Sequence, residues 1–193
     1  MKKFIMATGL SFFTLLVASV PVLASEYVID TQGAHAFVQF KIKHLGYSWL
    51  LGRFNTFEGE FSYSVDTPKK SSISIEIATK SLDSNHAERD KHLKGKDFLQ
   101  VDKYPLSTFK STQITFSNAD NALVAGDFML HGVTKRIQFP IQRVGEGSDP
   151  WGGYRAGFEG TLSLKLADYG ITYDLGPASA NVDIYLYVEG IRQ

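Results

Sequence analysis

The chain has 193 residues, 20 basic and 20 acidic side chains, and no cysteine. Without thiols there are no disulfides, iron–sulfur clusters or zinc–thiolate sites. The balanced charge argues weakly against nucleic acid or an anionic membrane as a partner, because both need a cationic surface.

At the N-terminus, Met1-Lys2-Lys3 is a short cationic segment, Phe4 to Val20 is uncharged and apolar, and Val22-Leu-Ala24 supplies small or modest residues before Ser25. This pattern predicts a secretory signal peptide over residues 1–24, cleaved to leave a domain of residues 25–193. No Arg-Arg pair marks a folded-export route, and no cysteine follows the apolar run to carry a lipid anchor. Cleavage removes Lys2 and Lys3 and leaves a net charge of −2. A periplasmic location without a stable membrane span is therefore expected, in an oxidising compartment where this chain must hold itself together by packing alone.

Beyond a short opening strand at Tyr27–Asp30, the chain is dominated by period-two alternation. Val38, Phe40 and Ile42 alternate with polar residues, as do Phe57 to Val65 and Ile73, Ile75 and Ile77. The same holds for Ile137, Phe139 and Ile141, for Leu162, Leu164 and Leu166, and for Val182 to Val188. Weaker strands run near Ser107–Phe116 and Leu123–Leu130, giving eight or nine strands with one apolar and one wet face. His131-Gly132 reads as a tight hairpin turn, Asn118 to Asn121 as a second turn, and Gly145 to Gly153 as a long loop. Asn85-His-Ala-Glu88 has the shape of a capping box, with Asn85 as N-cap of a short helix that Gly95 stops and on which Asp90 and Lys94 can pair.

One apolar face and few helices predict an all-β fold: an extended, antiparallel, eight-stranded barrel with a short helical insert. Charged mid-strand residues favour apolar side chains inside and polar ones outside, the reverse of an outer-membrane barrel. Such a barrel is either filled by its own side chains or holds one small ligand, and the sequence leaves both open. Alternation nominates Phe40, Phe61, Ile75, Phe109, Met129, Phe139 and Leu164 as the interior wall, with Trp49, Phe98 and Trp151 near the mouth. Trp49 and Trp151 read equally as an apolar plug or as contacts for a ligand ring. Tyr185 and Tyr187 fall on the outer face, as ordinary strand residues or a dimer contact.

Catalytic and metal patterns are sparse. The five histidines form no H-x-x-x-H or HExxH arrangement, so no metal site is expected. No G-x-S-x-G or phosphate-cradling Gly loop precedes a helix, and no cofactor is implied. An enzyme acting on a lipid would have to draw on His44, Asp97 or Arg155.

Several segments together resemble the YceI-like family: His44-Leu-Gly-Tyr-Ser-Trp49, Asp83 to Leu93, Phe98-Leu99 with Tyr104-Pro105, Leu130 to Lys135, Asp149 to Phe158, and Asp174 to Ser179. They occur in one order along the whole exported part. The resemblance implies a lipocalin-like barrel that binds a polyisoprenoid or isoprenoid-quinone-like lipid, commonly as a homodimer, with no established enzymatic activity.

Overall fold

The computed structural model describes residues 24–64 and 67–193. Residues 1–23 of the predicted leader, and Val65 at the end of one alternating run, lie outside the described residues. The elements in chain order are β1 (Ser25–Ile29), β2 (Phe37–His44), β3 (Ser48–Phe54), β4 (Phe57–Tyr63), β5 (Ser72–Ala78), β6 (Leu82–Asp83), α1 (Ala87–Lys94), β7 (Leu106–Phe116), β8 (Asn121–Leu130), β9 (Val133–Ser148), β10 (Tyr154–Lys165) and β11 (Asn181–Arg192).

All pairings are antiparallel, and eight strands close on themselves in the order β1-β4-β5-β7-β8-β9-β10-β11 and back to β1. The closing strand is short. Tyr27 to Ile29 covers only Gly190–Arg192 of β11, and the rest of that edge, Val182–Tyr187, is taken by β2. The β2–β3 hairpin and the two-residue β6 thus extend the barrel wall at one end, beside α1.

The apolar side chains point inward, as Phe40, Val124, Phe139, Leu164 and Val182 show by their burial. Charged side chains such as Lys110, Asp127 and Arg136 stand on the outer face. Barrel curvature leaves some inward positions no room for a side chain. The Phe109 ring lies over Gly126, Phe40 over Gly52 and Phe61 over Gly190, so aromatic faces cover backbone that would otherwise be bare.

Three local readings change. The strand β3 escapes the alternation test because Leu50 and Phe54 are apolar inside while Trp49 and Leu51 are apolar outside. The expected loop at Gly145–Gly153 is strand in its first four residues: β9 pairs with β10 through Ser148, and Asp149–Gly153 turns. Glycine hid the pattern there, and Val144 is the extra residue of a β-bulge. The helix is capped one residue later than expected. His86 Nδ1 accepts the Arg89 amide at 3.2 Å, and Asn85 sits before it in the left-handed region at φ 61°. Gly95 ends the helix without a positive φ. Asp90 turns away from Lys94 and accepts from the Ser84 amide at 2.9 Å and from its hydroxyl.

The hairpin at His131-Gly132 forms as predicted, with φ of 52° and 76° and Leu130 paired with Val133.

Candidate functional site

The barrel is not filled. A cavity of about 230 Å³ runs along its interior. One water needs roughly 10–15 Å³ of such space, so this is far larger than a packing defect. Its length follows from β11, whose inward residues Val182, Ile184, Leu186 and Val188 all line it. At about 3.3 Å per residue that stretch is ~20 Å long.

Phe40, Phe61, Ile75, Phe109, Phe139 and Leu164 all lie on the cavity wall, and Phe98 lines it from the segment after α1. Phe109 keeps its inward facing although the pattern of β7 is broken. A bulge between Ser111 and Gln113 shifts the inward set from Ser107 and Phe109 to Ile114 and Phe116. Met129 is corrected: β8 turns Val124, Phe128 and Leu130 inward, which puts Met129 on the outer face. The unbroken apolar run Phe128-Met129-Leu130 conceals that parity. Trp49 and Trp151 are corrected as well. Trp49 projects from the outer face of β3, because its neighbour Leu50 takes the inward position. Trp151 is 78% exposed in the β9–β10 turn and touches the Arg155 guanidinium, 5.7 Å from the ring centre.

The rings that do obstruct the barrel are others. Tyr63 on β4 meets Phe158 on β10 at 5.2 Å and Phe116 on β7 at 5.8 Å, and Phe61 meets Phe158 at 5.5 Å. Since β4 neighbours neither β7 nor β10, these contacts cross the lumen. Burial pushes the Tyr63 phenol above its ordinary range, and its hydroxyl has no hydrogen-bond partner among the described residues. Arg143 lies near it, held by Asp120 at 2.6 Å and Glu146 at 2.9 Å.

The opposite end is framed by Lys43, His44 and Leu50 of the β2–β3 hairpin, by Leu93, Phe98 and Leu99 around α1, and by Ile171 and Leu175. Tyr173 packs at a tilt against Phe98 at 5.2 Å and edge-on against His92 at 5.5 Å. His131, in the hairpin turn at β8–β9, is buried with Nδ1 3.0 Å from the Tyr169 carbonyl. A carbonyl only accepts, so Nδ1 carries the proton.

No polar cluster converges on the cavity from His44, Asp97 and Arg155. Asp97 faces His92 at 3.5 Å, while Arg155 belongs to the Trp151 end of the molecule. There its Nη1 donates to Asp30 and Glu189, each at 2.6 Å, and its Nε to Asp149 at 2.8 Å. His35 Nδ1 lies 3.0 Å from Asp30. Asp30, Glu189 and His35 are close enough to share a metal ion, but the Arg155 cation already bridges the two carboxylates. The bonds from Arg155 and His35 hold the Asp30 carboxyl at about 2, and its three acceptors raise Arg155 above its already high range. This is a structural clasp between β1, β10 and β11.

Among the described residues no helix is long and apolar enough to cross a membrane.

Residues 27–190 match the model of the YceI-like domain. A UPF0312 protein of Pseudomonas aeruginosa (strain LESB58) is 52% identical over 188 residues, 97% of this chain and 96% of its own. A UPF0312 protein of Azotobacter vinelandii is 50% identical over the full length of both. Among solved structures, Burkholderia cenocepacia BcnA superposes with a TM-score of 0.74 at 19% identity, covering 83% of this chain and 98% of its own. A polyisoprenoid binding domain from Saccharophagus degradans gives 0.64 at 18% identity, covering 89% and 100%. A closed antiparallel barrel with one short α-helix, a matching domain model over nearly the whole barrel, and relatives at half identity lead to one conclusion: the chain belongs to the YceI-like family.

Proposed function

We propose that this protein is a periplasmic carrier that holds the hydrocarbon tail of a polyisoprenoid-type lipid inside its barrel and catalyses no reaction on it. The observation that carries this reading is the continuous cavity of about 230 Å³, walled by Leu, Ile, Val and Phe along several strands. Serine is the main polar residue along it. Ser62 and Ser72 bond to one another at 2.9 Å and Ser107 donates to the Met129 carbonyl at 2.7 Å, so they do not compete for a ligand. Each methylene moved from water to such a wall contributes about 0.8 kcal/mol, so a few isoprene units offset the cost of ordering the chain. The likeness to a polyisoprenoid binding domain supports the choice of tail. The leader-like residues 1–24 support the location.

The test is native mass spectrometry of protein purified without detergent, followed by organic extraction. A stoichiometric extractable polyprenyl compound is expected. Leu162 lines the middle of the barrel on β10. Leu162→Trp should fill the lumen and lower lipid occupancy at least about tenfold, a loss of 1.4 kcal/mol or more, with circular dichroism unchanged. Full occupancy in that folded variant overturns the reading.

A further inference from the structure

We propose that the β2–β3 hairpin, together with Tyr173, is the surface by which this protein docks on an anionic phospholipid bilayer, with the cavity mouth facing the lipid. This rests on the carrier reading above. The turn Leu45-Gly46-Tyr47 projects into solvent, with Tyr47 88% exposed and Leu45 46%. It is a fixed projection. Leu45 and Gly46 hold φ of 53° and 87°, and Ser179 Oγ donates to the Lys43 carbonyl at 2.7 Å, tying the hairpin to the segment after Tyr173.

Immediately behind the tip, Trp49 lies exposed on the outer face with Lys41 Nζ 4.3 Å and Lys43 Nζ 5.4 Å from its ring centre. Exposed aromatic rings with lysines alongside match the headgroup zone. There a ring's apolar body and polar edge are both satisfied, and an ammonium meets phosphate. The balanced charge of the whole chain does not oppose this, because attraction to a surface acts over about a Debye length and reads local charge. Asp183 stands opposite Lys41 in the β2–β11 register, so the apolar contacts carry much of the binding and salt should weaken it only in part.

Position gives the patch its meaning. The same hairpin supplies Lys43, His44 and Leu50 to the cavity mouth, and exposed Tyr173 packs against Phe98 at that rim. A prenyl chain leaving a bilayer through this mouth would pass from acyl chains to the barrel wall without crossing water.

The chain's two tryptophans make the test direct. In Trp151→Phe, Trp49 is the sole indole, and its emission should shift to the blue when vesicles of phosphatidylethanolamine and phosphatidylglycerol are added. Brominated acyl chains should quench it, and pure phosphatidylcholine should give a smaller response. The double variant Leu45→Asp with Tyr47→Asp should lower co-sedimentation with the same vesicles at least about tenfold while keeping its co-purified lipid. Three results overturn the proposal: Trp49 emission that ignores vesicles, equal co-sedimentation of the double variant, or a vesicle-independent dimer that alone buries Trp49. Lipid extracted from the protein is scored separately. Retained cargo without vesicle binding refutes docking alone, and vesicle binding without any cargo in the native protein refutes the carrier reading.

Discussion

Two side chains show how differently a polar group can be tolerated inside this molecule. Tyr63 buries its hydroxyl with no partner among the described residues, at the cost of desolvation. Removing that oxygen leaves the ring contacts with Phe116 and Phe158 intact. Tyr63→Phe should therefore raise stability by up to about 1 kcal/mol in urea denaturation. Asp30 is the opposite case. It is 6% exposed, yet it receives bonds from the Gly33 amide at 2.7 Å, Arg155 at 2.6 Å and His35 at 3.0 Å. Its folded pKa of about 2 lies below the ordinary 3.8, so folding favours the charged form. The stability it supplies is fully present above the unfolded value and disappears as pH falls from about 4 through about 2. Asp30→Asn should lower the denaturation midpoint at neutral pH and remove that part of the acid slope, which a urea series between those pH values measures.

Each strand solves a problem of curvature, and the solutions explain what the sequence conceals. Inward glycines let neighbouring Phe rings lie flat on the backbone. A Cβ at Gly126 would stand 2.5 Å from the Lys110 carbonyl oxygen and 2.5 Å from the Phe109 ring. The ring can move but the ladder carbonyl cannot, so Gly126→Ala should cost about 2 kcal/mol, read from the shift in denaturation midpoint. Strands with an unbroken period of two, such as β5 and β10, are legible from their residues alone. Bulges in β7 and β9 break the count. Apolar residues on both faces of β3 remove it, and the run Phe128-Met129-Leu130 leaves two equivalent parities. Five of the seven residues expected on the wall are legible because they sit in regular alternation, and Phe109, ahead of the β7 bulge, faces inward although its strand's pattern is broken. At the mouth Phe98 lines the cavity, but Trp49 and Trp151 do not: an aromatic residue near a strand end carries no sign of which way it faces. Trp49 and Trp151 thus read as mouth residues where Leu50 and Tyr173 stand, and nothing in the sequence marks Tyr63 and Phe158 as the rings that cross the lumen.

For the molecule as a whole, the two ends are unlike. One is crossed by aromatic rings, with Arg143 and its acidic partners beside Tyr63. The other is framed by side chains from the β2–β3 hairpin, α1 and the segment around Ile171. A hollow core forgoes packing that a filled barrel would have, so an occupant should stabilise the fold by mass action. With a lipid at one hundred times its dissociation constant the gain is about 2.7 kcal/mol. Delipidated protein should melt below the loaded form, and adding a polyprenol should restore the difference in a calorimetric scan. A lipid that leaves the transition unmoved at saturation is not the cargo.

Barrel closure also has a consequence in time. The strand β11 pairs with β10 along its length, with β1 at one end and with β2 at the other, and it is the last strand in the chain. Until those twelve residues have been synthesised and delivered, the sheet stays open and its greasy face has no enclosed space behind it. Under the proposed carrier function, an enclosed space for cargo therefore exists only once β11 has joined its three neighbours. A protease that cut this one strand would open the cavity, because β11 holds β10, β1 and β2 together.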